Sequence, residues 1–236
     1  MTTALITGAN RGIGLSLVRA LVDRGLFIFA GARRPDDAQD LQRLMGDHPD
    51  RLQIVQLDVT SDDSVRSAAD AVRENGSRLD VLVNNAGVLL EDPGTAFADL
   101  DVHLFAPTFT VNVIGTARVT QTMLPLLLAS ESPRIVNISS GAGSIGDMMD
   151  ERYYCYGPSK AALNHLTVSL AHELRSRKVI VVAMSPGWVQ TDMGGQGAEL
   201  SPEESAEAIA ETVLRLTLDD SGRFLGRSGS RSDYQW

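Results

Sequence analysis

A chain of 236 residues with 43% apolar, 22% charged and 5% aromatic content has a globular composition and room for one large core. A net charge of −9 argues against a surface built to neutralise phosphate backbones, so no nucleic-acid partner is expected. The lone Cys155 allows no internal disulfide, the N-terminus carries no secretory pattern, and no apolar run approaches the roughly 20 residues of a membrane span, so the expectation is a cytoplasmic protein with no membrane partner.

Along the chain, short apolar runs alternate with helix-length amphipathic segments. A strand is expected at residues 4–7, then a helix over 12–24, a strand at 26–30, a helix over 36–45, a strand at 54–57 and a helix over 61–74. The alternation continues with a strand at 81–83, a helix over 109–128, a strand at 135–138, a helix over 159–177, a strand at 179–184 and a helix over 202–216. Thr60-Ser61-Asp62-Asp63 and Ser201-Pro202-Glu203-Glu204 carry helix-start signals. Sustained βαβ alternation predicts α/β architecture: a doubly wound Rossmann fold, mostly parallel, with helices on both faces and one domain over 1–236. Ligands then bind beyond the carboxyl ends of the strands. The Gly/Ser/Arg-rich stretch 222–232 reads either as a tail or as a closing strand.

The first strand runs into Thr7-Gly8-Ala9-Asn10-Arg11-Gly12-Ile13-Gly14 and then a helical pattern. Glycine permits a tight turn and a close backbone approach to a pyrophosphate, and the following helix N-terminus adds partial positive charge. The spacing is T-G-x-x-x-G-x-G. Asn84-Asn85-Ala86-Gly87 follows the fourth strand, and Asn112, Ser139-Ser140, Tyr156-Gly157-Pro158-Ser159-Lys160 and Pro186-Gly187 follow in order. This set resembles the short-chain dehydrogenase/reductase family. The stretch from Pro186 to Gly195 and the Phe224-Leu225 to Trp236 ending are similar to the carbonyl reductases related to sniffer and to the myxobacterial C-factor.

The resemblance implies a nicotinamide cofactor, and the end of the second strand bears on which one. Ala32 stands where an NAD enzyme of this fold places an acidic residue, followed by Arg33 and Arg34, which suit a 2′-phosphate. Arg11 is a further candidate for that phosphate, so NADP(H) is expected; solvated surface charge is the plain alternative for these arginines. The family pattern further assigns to the cofactor Gly8, Asn10, Gly12, Ile13, Gly14, Asn85, Ala86, Gly87, Pro186, Gly187, Val189 and Thr191, besides Tyr156 and Lys160 themselves. It also implies that Asp58 and Val59 contact adenine, although a helix cap serves Asp58 equally well.

Reduction of a carbonyl leaves negative charge on oxygen, which calls for a proton donor and further hydrogen-bond donors. Tyr156 is the expected acid, with Lys160 on the same helical face four residues on, placed to lower its pKa of about 10. Tyr153 and Tyr154 lack a lysine at that spacing. Ser140 is the expected donor to substrate oxygen, with Ser139 as competitor, and the resemblance gives Asn112 a water that links Lys160 to solvent, a capping or helix-kinking role being its alternative. Ser140 precedes Tyr156 by sixteen positions, more than the family pattern commonly has, so the resemblance implies a longer segment over 144–152 that shapes the pocket rim. Segment 188–200, with Trp188 and several glycines, is the expected substrate loop. His165, His172 and Cys155 show no metal or nucleophile pattern, and no metal is expected.

The expected activity is hydride transfer between NADP(H) and a small-molecule carbonyl or alcohol, in a homodimer or homotetramer built through helices 109–128 and 159–177. A non-catalytic NADP-binding sensor of C-factor type is the alternative. An epimerase or dehydratase would more naturally carry a longer C-terminal substrate region.

Overall fold

In the computed structural model, which describes residues 1–147, 153–230 and 236, short apolar segments become β1 (Thr3–Thr7), β2 (Phe27–Ala32), β3 (Leu52–Gln56), β4 (Val81–Asn84), β5 (Arg134–Ile138), β6 (Ile180–Ser185) and β7 (Phe224–Gly226). They form one seven-stranded sheet in the order β3-β2-β1-β4-β5-β6-β7, every neighbouring pair parallel. Leu5 of β1 lies opposite Phe29 of β2 and Leu82 of β4. Strand order reverses about β1, and the crevice beyond the carboxyl ends of β1 and β4 is where such a sheet receives a ligand.

The helices are α1 (Gly12–Asp23), α2 (Gln39–Asp47), α3 (Asp62–Glu74), α4 (Phe105–Phe109), α5 (Thr116–Leu127), α6 (Tyr156–Leu174) and α7 (Pro202–Arg215). Side chains alternate across each strand and so feed two cores. Ile6, Ile28, Val83, Val136 and Val182 pack with Leu17 and Leu21 of α1, Leu41 of α2 and Ile209 of α7. Leu5, Phe29, Leu82, Ile135 and Val181 pack with Val72 of α3, Met123 of α5 and Leu174 of α6 on the other face.

Both helix-start signals are realised. Ser61 accepts from Ser64 N at 3.3 Å to cap α3, and Ser201 with Glu204 closes a capping box on α7. Asp58 therefore does not cap α3; its carboxylate accepts instead from the Thr60 amide (2.9 Å) and hydroxyl (2.7 Å).

Several boundaries differ from the sequence pattern. Pro35–Asp37 forms a 3₁₀ turn ahead of α2, which starts at Gln39 rather than at 36. The helix expected over 109–128 begins at Phe105 and passes through a π-helical turn, Thr110–Gly115, before α5. α6 begins at Tyr156 rather than 159, with Pro158 in its first turn, where the missing N–H breaks no helical bond. The 222–232 stretch contributes the closing strand β7. The expected rim segment 144–152 and the Asp233-Tyr234-Gln235-Trp236 ending lie partly outside the described residues.

Candidate active site

β1 delivers Thr7 and the glycine turn to the carboxyl edge of the sheet, where Gly8 (φ 64°) and Gly12 (φ 52°) adopt left-handed backbone that favours glycine. At Gly14 the constraint is space: a Cβ there would stand 2.2 Å from Gly8 O and 2.6 Å from Asn85 Nδ2. The turn is locked to the segment after β4, since Thr7 Oγ1 accepts from Asn85 N (3.0 Å) and Ala86 N (2.9 Å), and Asn85 Nδ2 donates to Thr7 O (2.9 Å) and Gly8 O (3.1 Å). α1 opens with neither a capping side chain nor an acidic residue in its first turn, so its N-terminal dipole faces the crevice uncompensated by the chain. That glycine cradle and bare helix end fit a pyrophosphate, with Asn10 exposed and Ile13 half-buried at its edge.

At the end of β2, Ala32 is buried, while Arg33 and Arg34 just beyond it are exposed. Arg34 Nη1 lies 3.4 Å from Asp37, whereas Arg33 acts on Asp58. Burial raises the Asp58 carboxyl, but its Thr60 hydrogen bonds and the Arg33 and Arg118 charges outweigh that and leave it below the usual carboxylate range. Val59 packs against Gly115, where a Cβ would meet its Cγ2 at 2.7 Å. Arg11 reaches across the cleft to Asp192, its Nη1 3.0 Å from the carboxylate, an exposed pair of small energetic weight.

The first residue of α6, Tyr156, and the residue one turn on, Lys160, are both buried, with Lys160 Nζ 5.5 Å from the Tyr156 ring centroid. Lys160 donates to Ile138 O at 2.8 Å. Ser140, which caps the 3₁₀ turn Gly141–Gly143, lies by the Tyr156 phenol and favours its ionised form. Ser139 turns away and donates to Asn164 Oδ1 at 2.6 Å. Asn112 sits in the π-helical turn with three hydrogen bonds on its amide: Oδ1 accepts from Val88 N (2.8 Å), and Nδ2 donates to Val88 O (2.9 Å) and Ser159 Oγ (3.0 Å). Gly87 lies where a Cβ would come within 3.3 Å of Asn112 Oδ1 and 3.5 Å of Lys160 Nζ, so the segment after β4, the bent helix and Lys160 converge on one point.

The electrostatics depart from the sequence expectation. Burial pushes the Tyr156 phenol up to about 12, with Ser140 opposing it, and pulls Lys160 down to about 8. Spacing put an ammonium beside a phenol and suggested a lowered phenol, but desolvation penalises both charged forms and dominates in the chain alone.

Pro186 and Gly187 follow β6. Gly187 has φ 81°, and Pro186 O accepts from Ser205 Oγ at 2.7 Å. Segment 188–200 is internally tied: Gln190 N donates to Leu200 O (2.8 Å), Trp188 Nε1 to Gly194 O (2.8 Å), and Gly194 N to Thr191 Oγ1 (3.1 Å). Val189 is buried and bridges to Leu200, while Trp188 and Met193 are exposed. A Gly194 Cβ would lie 2.1 Å from Val189 O, so that glycine serves close packing.

Sequence reading missed Glu91. This carboxylate, 5% exposed, accepts from Tyr156 N at 2.7 Å and Cys155 N at 2.9 Å, across 65 and 64 positions. No local pattern could have revealed it. Cys155 itself is buried, its thiol pushed up to about 11 by burial and by Glu91, which fits an inert thiol. His165 and His172 are exposed, and no group of three or more His, Cys, Asp or Glu among the described residues could hold a metal. No helix among them is long and apolar enough to cross a membrane.

The family model described as short chain dehydrogenase matches residues 2–200. The chain belongs to that family. The NADPH-bound carbonyl reductase from chicken fatty liver is similar in structure at a TM-score of 0.91 and 34% identity, over 100% of this chain and 99% of that one. The carbonyl reductase Sniffer of D. melanogaster superposes at 0.94 with 30% identity, over the whole of both chains. The C-signal protein of Myxococcus xanthus is 40% identical over 152 residues, 64% of this short-chain dehydrogenase and 90% of the relative. The doubly wound parallel fold and the likeness to sniffer and C-factor relatives are thus both as the motifs implied.

Proposed function

We propose that this short-chain dehydrogenase is an NADP(H)-dependent carbonyl reductase that converts a ketone or aldehyde to an alcohol and runs alcohol oxidation in reverse. The observation that carries the reading is the buried Tyr156 phenol, with Ser140 acting on it and the buried Lys160 one helical turn away, its Nζ 5.5 Å from the ring centroid. Two carbonyl-reductase structures similar over the full chain support it, one of them holding NADPH.

The glycine turn and the α1 N-terminus hold the pyrophosphate, Arg33 with Arg34 and Arg11 take the 2′-phosphate, and Asp58 and Val59 border the adenine. Asn85, Ala86 and Gly87 line the path towards the nicotinamide, with Pro186, Gly187, Val189 and Thr191 along its other side. The reduced nicotinamide supplies the hydride. Ser140 donates a hydrogen bond to the substrate oxygen, and the Tyr156 hydroxyl gives that oxygen its proton. A phenol held near 12 in the cofactor-free chain carries its proton at neutral pH, and the positive charges of Lys160 and of the oxidised nicotinamide would lower that value towards the working pH. The Lys160 ammonium opposes the negative charge left on Tyr156. Asn112 keeps the Val88 segment and α6 in register, and through a held water joins Lys160 to solvent for return of the proton. Residues 188–200 border the substrate, with Trp188 and Met193 at the opening, and one domain spans 1–236. The enzyme assembles as a homodimer or homotetramer through α5 and α6, which expose Ile114 just ahead of α5 and Val168 on α6.

The test follows NADPH and NADH consumption over a panel of aldehydes, diketones, quinones and cyclic ketones, with Tyr156→Phe in parallel. Turnover selective for NADPH and lost at least a thousandfold in the variant is expected, about 4 kcal/mol of transition-state stabilisation. The C-signal relative favours one other reading, a non-catalytic NADP-binding sensor. NADPH binding without turnover of any substrate, or full activity in Tyr156→Phe, would favour it.

A further inference from the structure

α6 starts without a side-chain cap of its own. Its N-cap residue, Cys155, has helical φ/ψ (−97°, −47°) and makes no capping hydrogen bond, so the first amides need a partner from elsewhere. Glu91 provides it from the loop after β4. Both carboxylate oxygens lie 2.9 Å from Cys155 N, and one of them lies 2.7 Å from Tyr156 N. A buried carboxylate is costly unless such donors and the positive end of a helix dipole compensate it. Three positions before Glu91, Val88 is gripped by both ends of the Asn112 amide, and Asn112 also bonds Ser159 of α6. Segment 84–91 therefore touches the glycine turn at one end and the backbone of Tyr156 at the other.

We infer that Glu91 is a positioning residue: its carboxylate clamps the first turn of α6 and so sets the Tyr156 phenol against Ser140, tying the placement of the acid to the segment that borders the cofactor. The inference rests on the reading of Tyr156 as proton donor. It assigns Glu91 no contact with substrate. Loss of the clamp slows proton delivery and leaves the glycine cradle, and with it NADPH binding, intact.

The experiment compares wild type, Glu91→Ala, Glu91→Gln and Tyr156→Phe by steady-state kinetics, NADPH titration and amide hydrogen exchange of the cofactor-free chains. Glu91→Ala is expected to speed exchange at Cys155 and Tyr156 at least tenfold with β1 and α1 unchanged, and to lower kcat about tenfold with the NADPH Kd within twofold. Glu91→Gln keeps an acceptor oxygen and is expected to recover kcat to within threefold of wild type. Three results would overturn the inference: unchanged exchange in Glu91→Ala, unchanged kcat in that variant while Tyr156→Phe is inactive, or kcat and NADPH affinity falling together in both Glu91 variants. Full activity of Tyr156→Phe would instead remove the assigned acid, and the exchange data would still decide whether the clamp exists.

Discussion

Lys160 is a charged residue in a place that disfavours charge, with consequences for stability as well as catalysis. In the folded cofactor-free chain burial holds it at about 8, against about 10.4 in an unfolded one. Between those values the unfolded chain binds the extra proton, so this residue makes stability rise with pH from about 8 and fall as pH drops through that window. Urea melts of wild type and Lys160→Met should show the difference in unfolding free energy moving by about 2 kcal/mol in favour of wild type from pH 8 to pH 10. Cys155 and Tyr156 titrate in both proteins and cancel. A pH-independent difference would mean that the lysine is solvated. The pairing of Tyr156 with Lys160 was legible because both lie on one helix, four positions apart. Their pKa values were not, because they depend on burial by β5 and the turn after it, and neither was Glu91, whose partners lie 64 and 65 positions away.

At the scale of elements, the glycine turn shows why motif spacing carried so much. Gly14 faces the backbone oxygen of Gly8 and the amide of Asn85, neither of which can retreat without breaking the Thr7–Asn85 links. Gly14→Ala should therefore push the turn off the segment after β4 and weaken NADPH binding more than tenfold, read by fluorescence titration of the bound nucleotide; an unchanged Kd would show that the turn has slack. Turns of this kind are written locally, as are the caps Ser61 and Ser201. The π-helical turn at Thr110–Gly115 was not legible, because one extra residue per turn leaves the apolar pattern of 105–127 looking like ordinary helix. What forces it is tertiary: Asn112 must point inward to reach both Val88 and Ser159. The start of α6 was placed three residues late for a related reason, since Tyr156 has its amide satisfied by a carboxylate from a distant loop.

For the molecule as a whole, strand alternation and the rule of right-handed crossover predicted an open parallel sheet with helices on both faces, while the order of its strands comes from the structure. Phe29 is fully buried on β2, one strand in from the β3 edge, on the face covered by α3 and α5. Phe29→Ala should cost about 3–5 kcal/mol, measured as a lower urea midpoint in a still cooperative transition; a loss under 1 kcal/mol would mean that this face repacks. The place of β1 between β2 and β4 has a consequence during synthesis. Residues 1–60 can pair as β1, β2 and β3, but β1 then presents an open edge, Ala4-Leu5-Ile6, until residues 81–84 leave the ribosome. At about 5–20 residues per second that interval lasts a few seconds at most. Throughout it the emerging chain carries an unpaired apolar strand of the kind that holding chaperones recognise and that neighbouring nascent chains on a polysome can capture.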